Sequence, residues 1–377
     1  MPIMSINKGN WEIIDGKCSI PNGVTDIEDS AFKDCLSLTH IDIPNTVIRI
    51  GRNAFAGCKN ITSITIPFSV LEIDSFAFCN CENITSVIIP NNVRKIGQSA
   101  FSGCVKLAHV DIPRGLETLG NCTFNDCCSL ESITIPPNIH KIGQSVFSGC
   151  DKLINILISY GVKEIDDCAF EDCAKLKYVE IPDSVDRIGE FAFLRCSSLT
   201  RIILPRHLLA IEAFTFLDCI NLTSLSIPKG VFYIGESAFE GCKSLTSIQF
   251  PKNLWEIQDY AFCDCEKLTN IFIPKSVHII GEYAFSFSND LTIEARRDDY
   301  IEFAPTAFWG CKKITLFTRH INPDSLDEIV NMFIHKLEYK NIYLNVPAGY
   351  GRAYRNFFKN RVKRVTEYDV PQVHRQE

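Results

Sequence analysis

Thirteen phenylalanines stand at positions 32, 55, 78, 101, 124, 147, 170, 193, 216, 239, 262, 285 and 308, each 23 residues from the next with no insertion. A globular domain has no reason to keep such a metre. A stack of equal coils must keep it, because every coil has to meet its neighbour in register. The metre therefore overrides the prior that a chain of 377 residues holds two or three separate domains.

Other positions obey the same period. Ala precedes the Phe in ten copies, as at Ala31 and Ala238, and Cys follows three residues later in twelve, Ser288 being the exception. Six residues after the Phe comes Leu or Ile, as at Leu38 and Leu268; apolar residues such as Ile41 and Ile43 follow, and then Pro. The stretch L-x-x-I-x-I alternates apolar and polar side chains over β-branched residues, which predicts a short strand with one buried face. Stacking the copies makes these strands a parallel sheet. The Pro removes a backbone donor and ends the strand. A second extended piece, V-x-x-I-G, predicts the opposite side of the coil, and its Gly permits the turn back. The A-F-x-x-C stretch closes the coil as a tight or 3₁₀-like turn, with the Phe filling the centre.

Stretches such as AFKDCLSLTHIDIPNTVIRIG and AFEGCKSLTSIQFPKNLWEIQ resemble the BspA-like leucine-rich repeats, and the resemblance runs from about Ile20 to Cys311. Residues 341–365 resemble the closing segment that such proteins often carry at the C-terminus. The resemblance implies a right-handed leucine-rich-repeat arc, adhesion to host proteins or other protein–protein contacts, and secreted or surface-anchored members. The expected fold is thus a β-rich solenoid of about 13 coils with parallel strands and a small α/β C-terminal cap.

A solenoid needs covers for its terminal core. Residues 1–30 read as an N-terminal half-coil cap whose open edge Trp11, Ile13 and Ile14 cover, 31–311 as the solenoid, and 312–377 as the C-terminal cap. Within the cap, Leu326, Ile329, Val330, Phe333, Ile334 and Leu337 share one helical face, predicting a helix over 324–338. A strand over 341–347 and a basic tail follow. Residues 312–377 hold twelve Lys and Arg against seven Asp and Glu, whereas 1–311 hold 26 against 38. The cluster Arg352, Arg355, Lys359, Arg361, Lys363 and Arg364, with Tyr350, Tyr354, Phe357 and Phe358 between, reads as an amphipathic capping helix with a solvated basic face rather than a nucleic-acid patch. A net charge of −7 also argues against nucleic acid.

The chain has no apolar run long enough to span a membrane and no apolar export core near Met1, so a cytoplasmic setting with reduced thiols is expected. Surface display by a non-standard route is the alternative. Most of the 18 cysteines sit on the repeat lattice, where a free thiol packs as a small hydrophobe and can hydrogen-bond backbone. Off the ladder, Cys79 and Cys263 each form a C-x-C, but these pairs lie eight coils apart and cannot share a metal ion. Cys122 and Cys168 are two coils apart, about 10 Å by strand spacing and too far to bridge. His40 and His109 are three coils apart. No G-x-S-x-G, phosphate loop, H-E-x-x-H or dinucleotide fingerprint occurs. No catalytic residue, cofactor site or metal site is assigned.

What remains is binding. The outward strand positions lie eight and ten residues after each Phe and are mostly small Ser and Thr, but in coils six to eight they become Asn155, Leu157, Tyr178, Glu180, Arg201 and Ile203. Tyr and Arg are residue types that anchor interfaces. The same place carries Ile158-Ser159-Tyr160 where other coils have Ile-Pro. The expectation is a non-catalytic, monomeric scaffold that binds an unidentified protein on this patch. A secreted or surface adhesin is the alternative, and a metal-binding or enzymatic regulator the distant one.

Overall fold

A computed structural model describes residues 4–6, 11–269, 271, 273–274, 276–288, 290–295, 302–304, 306–311, 313–318, 342–358 and 362–368. The chain is a parallel-strand solenoid of about 13 coils with little helix. It divides into two compact units, Met1–Leu208 and Leu209–Glu377.

In the first unit each coil contributes two short strands. On one side Lys17–Ser19 pairs with His40–Asp42, Ser63–Thr65 with Ser86–Ile88 and then His109–Val110, and Ser132–Ile135, Asn155–Ile158, Tyr178–Glu180 and Arg201–Ile203 follow one another, all parallel. On the other, Val24–Ile27, Arg49–Ile50, Glu72–Ile73 and Lys95–Ile96 form one ladder, and Thr118–Leu119, Lys141–Ile142, Glu164–Ile165 and Arg187–Ile188 another. Three-residue strands such as His40–Asp42 and Ser63–Thr65 expose their outer residues and bury the middle one, the pattern that the alternation predicted.

Eight Phe rings run through this unit from Phe32 to Phe193, stacked at centroid spacings of 5.0–5.9 Å with planes within 14°. Each is fully buried. Trp11 closes the N-terminal face of the stack, 4.3 Å from Phe32, with its indole N–H donated to the Ala31 carbonyl at 3.1 Å. Ile13 is half-buried and Ile14 is 62% exposed, so Ile14 does not share in that cover as expected.

The closing turn is tight, and its hydrogen bonds alternate. Amides of Ser30, Phe32 and Asp34 donate to Arg52, Ala54 and Ala56 of the next coil at 2.7–2.8 Å, while those of Ala31, Lys33 and Cys35 donate three residues back. Residues two before and two after the Phe take positive φ, as at Ser30 (62°) and Asp34 (57°). Those left-handed residues turn alternate amides outward to the next coil. The ladder cysteine fits the same scheme: Cys58 donates its thiol to the carbonyl of Phe32 at 2.9 Å, and Cys81, Cys104, Cys127, Cys150, Cys173 and Cys196 repeat the bond to the Phe of the preceding coil at 3.1–3.4 Å.

The residue two after the Phe runs Asp34, Gly57, Asn80, Gly103, Asp126, Gly149, Asp172 along this unit. The alternation is steric. A Cβ built on Gly57 would lie 2.2 Å from the Asp34 carboxylate oxygen, and on Gly149 2.3 Å from that of Asp126. Where the order breaks, Arg195 occupies the glycine place and sets its guanidinium on Asp172, both contacts at 2.6 Å.

The second unit repeats the pattern. Ala210–Ile211, Tyr233–Ile234, Glu256–Ile257, Ile279–Ile280 and Glu302–Phe303 form one parallel ladder. Phe216, Phe239, Phe262, Phe285 and Phe308 stack at 5.1–5.4 Å. The end of the unit is a four-stranded parallel sheet, Asp290–Ala295, Lys313–Thr318, Ile342–Pro347 and Arg364–Tyr368. A short helix, Gly351–Phe357, precedes the last strand. Tyr354 and Phe358 are buried against each other while Arg352 and Arg355 are exposed, as an amphipathic closing helix requires. The helix expected over 324–338 lies outside the described residues, as do Lys359 and Arg361 of the basic cluster.

Candidate protein-interaction face

The six patch residues lie on three consecutive strands of the first unit. Pairing sets Asn155 opposite Tyr178 and Tyr178 opposite Arg201, one row across the sheet. Glu180 stands opposite Ile203, and Leu157 opposite Thr134 of the preceding coil. Leu157 is 62% exposed and Tyr178 43%, and Asn155, Glu180 and Arg201 are also exposed. Ile203 is half-buried, less open than its outward position implied.

The row is chemically mixed. Tyr178 donates its hydroxyl to Glu180 at 3.0 Å. Partial burial and that carboxylate push the phenol above its ordinary pKa, with Arg201 pulling the other way. The hydroxyl is thus committed to Glu180. Among the described residues Arg201 makes no ion pair. It offers a planar fork of donors in water beside an aromatic ring, an arrangement suited to bidentate capture of a carboxylate.

The departure at coil six has a visible effect. Ser159 stands where ten other coils have Pro, and its amide donates to the Ile135 carbonyl at 3.1 Å. That extra bond extends the pairing of Ser132–Ile135 with Asn155–Ile158 to four residues. Beyond it Tyr160 is 72% exposed, and Gly161 turns with φ of 136°, its amide bonded to Ser184 Oγ at 3.1 Å. Ile156, whose equivalents are buried, is half-buried. Tyr160 is a further exposed aromatic beside the patch, signalled in the sequence by the missing Pro.

The opposite side of the first unit carries what periodicity alone did not expose. Seventeen residues after the Phe, charges alternate in two runs, Arg49, Glu72, Lys95 and Lys141, Glu164, Arg187, separated by Thr118. Arg49 bonds Asp29 at 2.8 Å and Asp74 at 2.9 Å, and Lys95 bonds Asp74 at 3.0 Å. Lys141 bonds Glu164 and Asp166 at 3.0 and 2.9 Å, and Arg187 reaches Glu164, Asp166 and Asp167 at 3.0–3.1 Å. Burial pushes the carboxyls of Asp74 and Asp166 up, but the cations around each outweigh it and hold both below the usual range. These ladders are self-compensated and leave little charge for a partner.

His40 and Asp42 pair at 3.0 Å on the strand face, with Ser19 bonded to the other carboxylate oxygen. His109 and Asp111 repeat the pair at 3.6 Å. Among the described residues no three His, Cys, Asp or Glu side chains converge as a metal ion would require. No helix among them is long and apolar enough to cross a membrane.

The model of the BspA type leucine rich repeat region, in 6 copies, matches residues 16–128, 117–221 and 209–337. A leucine-rich repeat protein from Bacteroides ovatus is similar in structure at 29% identity, with a TM-score of 0.59, over 80% of this chain and 92% of that one. A leucine-rich repeat protein from Eubacterium ventriosum is 23% identical with a TM-score of 0.51, over 72% and 82% of the two chains, and shares the fold. A leucine rich cell surface protein from Faecalibacterium prausnitzii is 20% identical with a TM-score of 0.49, over 97% and 95%. None of these likenesses supports the expected cytoplasmic setting. Among curated proteins there is no match. The matched residues take in most of the coil array, and the chain belongs to the BspA-type leucine-rich repeat family.

Proposed function

We propose that this chain is a non-catalytic scaffold that binds a protein partner on the strand face of its first unit. The observation that carries the reading is the row Asn155, Tyr178, Arg201, where an exposed aromatic and an unpaired guanidinium stand opposite each other on adjacent strands. Elsewhere on that face small residues such as Ser63, Ser86 and Ser132 prevail. Tyr and Arg carry a large share of interface energy where they are desolvated together, and Leu157 and Ile203 supply the apolar surroundings that exclude water. The reading does not depend on compartment, because burial and carbonyl acceptors hold the ladder thiols whatever the redox state around them.

The test is partner capture with intact chain, followed by affinity measurement on what is captured. Tyr178→Ala with Arg201→Ala is expected to weaken binding about tenfold to a hundredfold and to leave the melting temperature unchanged. Equal capture by the double variant would overturn the reading.

A further inference from the structure

The second unit presents a different surface, sixteen residues after each Phe. Leu209, Phe232, Trp255 and His278 occupy that place in consecutive coils, and backbone bonds hold them in register: Phe232 to Leu209 at 3.0 Å, Trp255 to Phe232 at 2.7 Å, His278 to Trp255 at 2.8 Å. Leu209, Phe232 and Trp255 are 62, 49 and 47% exposed. The fold does not ask for aromatic residues here, since coils three to seven carry Arg94, Glu117, His140, Lys163 and Asp186 at the same place. A contiguous apolar stripe where the scaffold accepts charge marks a contact surface.

Three residues ahead of the aromatics stand Lys229 and Lys252, both exposed. In sequence Lys275 holds the same repeat place, so three consecutive coils of this unit are basic there. The first unit shows how this solenoid arranges charge for its own stability, with signs alternating from Arg49 through Glu72 to Lys95. Like charges on neighbouring rungs do the reverse and repel. Among the described residues neither Lys229 nor Lys252 has an ion pair. The row gains from an anion that comes from outside.

The kind of anion follows from geometry. Trp255 and His278 stack on each other at 3.8 Å with planes 16° apart, so each ring covers one face of the other. That leaves no gap between the two rings for a nucleobase to enter. Glu236 and Asp259 are exposed in the same coils and disfavour a broad polyanion or an anionic bilayer. Successive coils rise about 4.8 Å. Same-face residues of an extended peptide lie about 6.8 Å apart and fall out of step, whereas neighbours three or four apart on a helix lie about 5–6 Å apart and keep pace over several coils.

We propose that this stripe docks an acidic amphipathic helix of a partner protein, lying along the stack, with its carboxylates on Lys229 and Lys252 and its apolar residues on Phe232 and Trp255. The proposal concerns a face other than that of Tyr178 and Arg201 and stands without it. Full-length chain is titrated calorimetrically with a Glu/Leu model peptide of about five helical turns, with the matching Lys/Leu peptide, with single-stranded DNA and with phosphatidylserine vesicles. The Glu/Leu peptide is expected to bind, and the others not. Lys229→Asn with Lys252→Asn, the residue found at Asn45 and Asn91, should weaken it on the order of tenfold. Phe232→Arg with Trp255→Arg, the residue found at Arg94, should weaken it too, although it adds positive charge. Melting temperatures identify any variant that fails to fold, and Phe232→Lys with Trp255→Lys, after Lys163, then replaces it. No binding of the Glu/Leu peptide at about 100 μM, stronger binding in the arginine variant, or preference for DNA or vesicles would each overturn the proposal.

Discussion

A ladder thiol such as Cys58 or Cys81, buried and donating to the carbonyl of the Phe one coil before, is held in its neutral form. Burial pushes Cys58 and Cys311 up to about 12, and Cys81, Cys127 and Cys173 well above the ordinary value of 9.0 for the same reason. The folded chain therefore keeps protons that the unfolded chain releases above pH 9. Stability is fully present below that pH and falls as pH rises toward 12, by about 1.4 kcal/mol per pH unit for each such thiol. Urea unfolding at pH 7, 9 and 10 should show this fall, and Cys104→Ala with Cys127→Ala should make it shallower. A slope unchanged in that variant would dismiss the ladder thiols as its source. The Phe, Cys and Ile of the coil were legible in sequence because each side chain has a single compatible environment. The left-handed residues were not: Ser30 and Asp34 look like ordinary loop residues until the backbone places them.

At the scale of the coil, the turn is where stability is most exposed to small changes. Gly149 sits at φ 73°, and a Cβ there meets the Asp126 carboxylate at 2.3 Å. Gly149→Ala should cost about 1–2 kcal/mol from the left-handed backbone alone, with the steric contact added. Adding Asp126→Ala should recover the steric part only. Denaturant midpoints of the two variants check this, and equal midpoints would mean that the contact is relieved by a small movement. The strand pair of each coil was legible from alternation and from the Pro that ends it. The charged ladder of Arg49, Glu72 and Lys95 was not, since single exposed charges in a repeat read as a solvated face. The patch itself was visible in composition, but only the register placed Asn155, Tyr178 and Arg201 in one row and showed Ile203 half-buried.

For the molecule as a whole, stability in a coil array sums over neighbours, so coils should be removable if their interfaces match. The Asp and Gly turn positions add a condition that the 23-residue metre does not reveal. Deleting residues 101–146, two whole coils, brings Asn80 against Gly149, an allowed pair. Deleting 101–123 alone brings Asn80 against Asp126, where a Cβ stands in the place that Gly57, Gly103 and Gly149 fill and that Arg195 fills with its side chain turned onto Asp172. The longer deletion should therefore melt cooperatively and higher than the shorter one, by differential scanning calorimetry. The reverse order would show that the turns adjust independently.

The alternation of Asp34, Gly57, Asn80, Gly103, Asp126 and Gly149 also bears on ancestry. A gene that lengthens by copying its own segments meets no steric penalty when it copies pairs, and meets one whenever it copies a single coil. Lineages of such arrays should then differ mostly by even numbers of coils, and a larger residue in the glycine place should come with a compensating contact, as Arg195 does on Asp172.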